Sequence, residues 1–404
     1  MNKVTVADIN FRGRKVLLRV DFNVPLDERR HIRADHRIQT ALPTIRKILG
    51  DGGMVIACSH LGRPKGKHVP EMSLKPVADR LSELLGQTVT FAEDCIGPEA
   101  ANLVGRMENG DCLLLENLRF HQGETENDPE FARKLASLGD IYVNDAFGTA
   151  HRAHASTVGV TQYFDQALAG FLMEKELRYL SQVMGKPARP YAAILGGAKI
   201  SGKIGVVTLL MDQVDTLIIG GGMAFTFARA MGHKIGDSLV EEEQIELARD
   251  ILAKGRDSKV NLVFPTDIVV TKEITEDAKS EVVPFDAIPD GMKGVDIGPD
   301  SIRHFGEVLE GSRTVVWNGP MGICEIPQFA RGTIEMAKLM GKLTKTGATT
   351  VVGGGDSAAA VDRAGLHDVM THVSTGGGAT LKFLEGKTLP GVAALTDRVT
   401  VGTV

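Results

Sequence analysis

Short apolar runs alternate with longer amphipathic segments from one end of this chain to the other. That alternation most restricts the fold, because it is the pattern of strands buried on both faces of a parallel sheet and crossed over by helices. The runs in the first half are residues 15–20 (KVLLRV), 54–58 (MVIAC), 112–118 (CLLLENL) and 141–145 (IYVND). In the second half they are 191–195 (YAAIL), 216–220 (TLIIG), 261–264 (NLVF), 314–318 (TVVWN) and 349–353 (TTVVG).

Each series is long enough for its own sheet, and 404 residues exceed what one compact domain usually holds. The expectation is an α/β protein with two doubly wound parallel-sheet (Rossmann-like) domains joined by an interdomain helix. Residues 171–185, with apolar positions at helical spacing before Pro187, are that helix. The predicted division is 1–170, 171–185, 186–388 and a tail at 389–404.

A net charge of −5 argues against a nucleic-acid partner, which usually meets a basic excess. Neither a signal peptide nor an apolar stretch of membrane-spanning length is visible, so the expectation is a cytoplasmic protein with no membrane partner. Cys58, Cys95, Cys112 and Cys324 lie far apart without CxxC spacing, and suggest neither a zinc site nor a disulfide framework.

In doubly wound sheets ligands bind at the carboxyl ends of the strands, so the residues that follow each apolar run are the candidates for function. In the first half these are Asp21, Asn23, His60, Arg63, Arg119, His151 and Arg152, with Arg37 opening a helix after the first strand. Converging guanidinium groups grip phosphate and carboxylate oxygens bidentately and can together hold a multiply charged anion. Any one of these arginines alone is as readily a solvated loop residue, and His154 is read as a packed or capping residue; the argument rests on the set.

The second half places glycine clusters at the corresponding positions: 196–199 (GGAK), 220–223 (GGGM), 353–357 (GGGDS) and 374–379 (STGGGA). Glycine lets backbone approach a phosphate closely, and a following helix N-terminus supplies N–H groups. Asp356 then sits where it can hold a phosphate-bound magnesium. Lys199 and Lys203, four apart, share one face if residues 199 onward are helical. Residues 197–203 (GAKISGK) imitate a P-loop, but Ile204 stands where the metal-binding hydroxyl belongs. No GxGxxG follows a strand, which weighs against a dinucleotide site of the usual kind.

Nine segments in order make the chain resemble the phosphoglycerate kinase family: RVDFNVP (19–25), SHLGRP (59–64), ENLRF (116–120), NDAFGTAHRAHAS (144–156), GGAKISGKI (196–204), IIGGGMAFTF (218–227), WNGPMG (317–322), GGGDS (353–357) and STGGGAT (374–380). The resemblance implies reversible phosphoryl transfer from 1,3-bisphosphoglycerate to Mg-ADP, giving 3-phosphoglycerate and ATP, in a monomer. It assigns Asp21, Phe22, Asn23, Arg37, His60, Leu61, Gly62, Arg63, Arg119, His151 and Arg152 to the phosphoglycerate. It assigns Gly197, Ala198, Lys199, Lys203, Gly221, Gly222, Asn318, Pro320, Glu325, Gly354, Gly355, Asp356 and Ser357 to the nucleotide, with Asp356 on the magnesium. Arg37, Lys199, Gly376 and Gly377 are the implied catalytic set, and the tail at 389–404 is implied to return to the first domain. Two positions depart from the family pattern: Gly202, where a polar residue is common, and Cys324, where an aromatic is.

Phosphoryl transfer needs positioning and charge neutralisation more than covalent chemistry, which agrees with the lack of a nucleophile triad. Ligands on separate domains must be brought to about 3–3.5 Å by closure. Two other readings stand beside this one: a catalytically idle nucleotide-binding scaffold on the same fold, and an NAD-dependent dehydrogenase. The first is disfavoured by Arg37, Lys199 and Asp356 occurring together, the second by the missing fingerprint.

Overall fold

The computed structural model of the chain describes residues 2–398. The chain divides into two compact units. Unit 1 takes in the chain up to Arg178 and resumes at Thr388, and unit 2 runs Tyr179–Lys387. The division falls inside a single helix, Phe171–Gly185, rather than at either of its ends. Of the expected returning tail, residues 389–398 are described and lie in unit 1, while 399–404 fall outside the described residues.

Unit 1 is built on β1 (Lys15–Arg19), β2 (Met54–Cys58), β3 (Val89–Ala92), β4 (Cys112–Leu115), β5 (Ile141–Asn144) and β6 (Ala167–Ala169). All neighbours pair in parallel, in the order β3-β4-β2-β1-β5-β6. The central strands have no wet face: Leu17 and Leu18 are both fully buried, although their side chains point to opposite sides. Each such aliphatic side chain contributes about 1.5–3 kcal/mol on burial. That is why these strands read as continuous apolar runs. Val89–Ala92 and Ala167–Ala169 are edge strands, short and partly polar or small, and did not stand out from the sequence.

Unit 2 repeats the architecture with β7 (Tyr191–Leu195), β8 (Thr216–Ile219), β9 (Asn261–Val263), β10 (Thr314–Asn318), β11 (Thr349–Gly353) and β12 (His372–Val373). Its order is β9-β8-β7-β10-β11-β12, again parallel throughout. Renumbered within the unit this is 3-2-1-4-5-6, the dinucleotide-fold order, although the glycine fingerprint of that fold is missing. Unit 1, built from the same alternation, has the order 3-4-2-1-5-6, so the alternation dictates the parallel α/β architecture while strand order differs between the units. A small antiparallel sheet, Asp267–Thr271 between Ser280–Pro284 and Lys293–Ile297, is appended to unit 2. No helix among the described residues is long and apolar enough to cross a membrane.

Candidate functional site

In unit 1 the predicted residues emerge from four adjacent strands, β4, β2, β1 and β5, all at their carboxyl ends. Arg37, second residue of the helix His36–Gly50, forms an ion pair with Asp21, whose other oxygen lies 4.0 Å from His60 Nδ1. Burial is the largest single influence on the Asp21 carboxyl and would raise it, but Arg37, with smaller help from His60, Arg19 and the Asn23 N–H, holds the group below the usual carboxylate range. Asn23 Oδ1 accepts the Gly62 N–H at 2.9 Å, and Arg119 Nη1 donates to the Gly62 carbonyl at 2.8 Å. Arg152 and His151 continue the row, with Arg152 Nε donating to His151 Nε2 at 3.1 Å.

Arg119 is the most telling member of this cluster. It is 7% exposed, and burial, with Arg19 and then Arg152 nearby, pushes its pKa down to about 10. Its Nε is buried without a hydrogen-bond partner. A buried donor left unmade costs about 1–3 kcal/mol, more when charged, so the cluster is suited to an anion that completes it.

His60, although it stands among cations, carries no positive charge of its own. Burial pushes it down to about 3, so it is neutral at physiological pH. Arg19 Nη2 stands 3.2 Å from His60 Nδ1, and because a guanidinium only donates, Nδ1 accepts and the ring proton resides on Nε2. Phe22 and Leu61 are core side chains, and the Leu61 N–H and carbonyl are both bonded to Asn117. Arg63 is exposed.

Arg19 was passed over in the sequence because it reads as the end of a strand. It is fully buried and donates to Ser156 Oγ at 2.8 Å and to the Val20 carbonyl. Ser156 in turn donates to Glu124, from its Oγ at 2.7 Å and its N–H at 2.9 Å. Burial would raise Glu124, but His154, 3.6 Å away, and Arg19 keep it low. The buried cation and anion thus balance through a serine, behind the surface row. The available signal was a single arginine closing an otherwise apolar run.

In unit 2 the strand order reverses between β7 and β10, and the predicted glycines converge there. The Gly196 N–H donates to the Asn318 carbonyl at 3.0 Å, the Gly197 N–H to Pro320 at 2.7 Å, and the Met223 N–H to Gly197 at 2.9 Å. Three loops are thereby clasped backbone to backbone. Gly221, at φ +64°, has room for no Cβ: one would lie 2.6 Å from both Gly197 N and the Pro320 carbonyl. Trp317, fully buried, fastens the clasp by donating its indole N–H to the Gly319 carbonyl at 2.8 Å.

Lys203 enters this clasp and donates to the Asn318 carbonyl at 3.0 Å and to its side-chain oxygen at 2.5 Å. Burial pushes Lys203 down to about 8, with Asp356 opposing. Asp356 is exposed in the first turn of the helix Gly355–Arg363, which Gly354 opens at φ +93°. The Ser357 hydroxyl accepts the Gly319 N–H at 2.8 Å, tying that helix to the clasp. Gly222 opens the helix Met223–Ala230. Gly377, at φ +39°, opens Gly378–Leu384, but the Gly376 N–H is already given to Ser374 Oγ at 3.1 Å. Ala198 and Glu325 are exposed.

The expected shared helical face of Lys199 and Lys203 is not there. The helix begins only at Ile204, so Lys199 lies exposed in a loop while Lys203 is half-buried at the cap. Gly202 precedes the helix and imposes no helix penalty. What shapes this loop is Glu241, absent from the expected residues: its carboxylate accepts the Ile200 N–H at 2.6 Å, the Ser201 N–H at 3.1 Å and the Ser201 hydroxyl at 2.5 Å. Forty residues of separation hide that contact from the sequence. At Cys324, the other departure, the half-buried thiol lies 3.5 Å from Thr333 Oγ1 and fills the place beside Glu325.

A cationic row with a buried, unpartnered guanidinium N–H, and a glycine clasp gripping a half-buried lysine at a sheet reversal, together define a class: proteins that handle phosphorylated small molecules. A sequence model of the family described as Phosphoglycerate kinase matches residues 6–387. The phosphoglycerate kinase of Chloroherpeton thalassium is 56% identical over 397 residues, covering 98% of this chain and all of the relative. That of Chlorobaculum tepidum is 57% identical with the same coverage, and the chloroplastic phosphoglycerate kinase 2 of Arabidopsis thaliana is 53% identical over 99% of this chain and 84% of its own length. Among solved structures, the phosphoglycerate kinase of Coxiella burnetii superposes with a TM-score of 0.85 at 41% identity, covering 97% of this chain and 98% of that one. The chain belongs to the phosphoglycerate kinase family.

Proposed function

We propose that the chain catalyses reversible transfer of the acyl phosphate of 1,3-bisphosphoglycerate to ADP, giving 3-phosphoglycerate and ATP, as a cytoplasmic monomer. The observation that carries this reading is a family match spanning residues 6–387 in a chain that has both charged sets at its sheet ends. Arg119, with Arg63, His151 and Arg152, holds the phosphate of the phosphoglycerate, while Asp21, Asn23 and the Nε2–H of His60 meet its hydroxyl region. The backbones of Phe22, Leu61 and Gly62 border it. Arg37 bridges Asp21 and the reacting carboxyl group.

The clasp of Gly197, Gly221, Gly222, Asn318 and Pro320, with Ala198 and Glu325 on its rim, holds the nucleotide. Lys203 meets its phosphates, and Gly354, Gly355 and Ser357 shape the helix end that faces them. The exposed carboxylate of Asp356 fits a hard cation with oxygen ligands, and magnesium bound with the nucleotide would neutralise phosphate charge there. Lys199, on its loop, tracks the phosphoryl group in flight, and Gly376 and Gly377 set the turn beside it. A carboxylate acceptor is already ionised, so no general base is needed.

The test is ATP formation by the purified chain, followed in a coupled assay. Turnover should be readily measured, and Lys199→Ala or Arg37→Ala should lower kcat by about 100-fold or more at saturating substrates, the loss expected when a group acting on transition-state charge is removed. Turnover near wild type in both variants would remove them from catalysis. An inactive wild-type chain would favour the idle-scaffold reading.

A further inference from the structure

Unit 1 carries a second constellation at the same carboxyl ends of its sheet, after the neighbouring strands β3 and β4. Asp94, Cys95 and His121 bring an oxygen, a sulfur and a nitrogen within 4.8 Å of one another, the one such trio of potential metal ligands among the described residues. Asp94 and Cys95 lie in the bend after β3, and His121 follows the turn Leu118–Phe120 that carries Arg119. Cys95 and His121 lie 26 positions apart, so no ligand spacing appears in the sequence.

The trio is ordered about one point. His121 Nε2 and Asp94 Oδ1 are 2.6 Å apart, and the same oxygen accepts the Cys95 N–H at 2.6 Å. Cys95 is fully buried, whereas Asp94 and His121 keep part of their surface in water. His121 also lines an open cavity of about 310 Å³ whose other walls include Glu126, Asp128 and Glu130, with Lys134 as the one cation among its lining residues. An acidic approach thus leads to the nitrogen ligand, and water can complete the coordination.

We propose that Asp94, Cys95 and His121 form a binding site for a divalent transition metal of the zinc type. Thiolate, imidazole and carboxylate together suit such an ion and are poor ligands for magnesium. Ligands about 2.0–2.3 Å from a tetrahedral metal stand roughly 3.3–3.8 Å apart, so the ion takes the place of the hydrogen between Asp94 and His121 and spreads them by under about 1 Å, that proton passing to Nδ1 as the ring changes tautomer. The thiol loses its proton as the sulfur–metal bond forms, and one H⁺ is released to solvent for that bond. Burial, which favours the neutral thiol, makes this uptake strongly dependent on pH. Occupancy would fix the chain two residues beyond Arg119.

Cobalt(II) alone, titrated into the chelator-treated full chain, reads the site directly. One equivalent should produce thiolate-to-cobalt charge-transfer absorption that zinc(II) abolishes by displacement. Cys95→Ser should remove the band, and His121→Gln should weaken binding at least tenfold. A wild-type chain without the band, or a band that survives in Cys95→Ser, overturns the proposal. Should Cys95→Ser fail to fold, His121→Gln and Asp94→Asn decide it: unchanged cobalt affinity in both is equally fatal.

Discussion

Lys203 shows how burial sets the working charge of a single side chain. Pushed down to about 8, it is a cation at neutral pH and loses its charge one to two units above it. The protonated form is the one that meets a nucleotide's phosphates, which are already ionised over this range. Affinity for ADP should therefore be full near pH 7 and weaken as the pH rises through about 8, by up to tenfold per unit. Equilibrium titration with ADP between pH 7 and 9 checks this, and a flat profile refutes it. Arg119 and His60 follow the same logic in the other unit, one a cation held in company with others, the other emptied of charge. The sequence pointed to Arg63, Arg119 and Arg152, exposed or buried alike, since charge after an apolar run is a local pattern. It did not disclose Arg19 or Glu241, whose meaning lies in partners more than a hundred and about forty residues away.

Loops after strands divide into those where glycine is obligatory and those where it is incidental. Gly221 is of the first kind: its φ is +64° and three backbone atoms occupy the space of a side chain. Gly221→Ala should cost about 1–3 kcal/mol through the backbone alone, and more through the clash, with nucleotide binding lost in step. Gly202 is of the second kind, with open space around it and no positive φ. Gly202→Ala should leave binding intact and add about 0.4–1 kcal/mol of stability by restricting the unfolded chain. Thermal unfolding with and without ADP separates the pair, and equal effects from both would refute the distinction. In the sequence the two glycines look alike. Central strands were legible because both faces are buried, whereas Ser280–Pro284, largely exposed and with no apolar run, was not.

Unit 1 is assembled from two stretches of chain. The later stretch is stitched to the earlier by Val4 N–H to the Thr396 carbonyl, Thr396 N–H to Ala167 and Gly391 N–H to Ala150, all at 2.9 Å, and by Lys3 to Asp397 at 2.7 Å. Leu389, Val392 and Leu395 are buried with it. Ending the chain at residue 388 should weaken unit 1 by about 4 kcal/mol or more, the burial of three aliphatic side chains. Unit 2, protected by ADP, should unfold where it did before. Two calorimetric transitions that move together, or neither moving, would contradict this.

The same interleaving imposes an order on biosynthesis. Everything in Tyr179–Lys387 can be made and folded as one uninterrupted stretch, but the unit begun first waits for its last strip. At 5–20 residues per second that wait, over roughly 220 residues, lasts about ten to forty seconds. During it, the Ala167 end of β6 and the apolar surface that Leu389, Val392 and Leu395 cover stay open on the ribosome, while Val4 already bonds Ala169 at the other end. It is the half that emerges early and matures late, and so the half for which a holding chaperone has most to do.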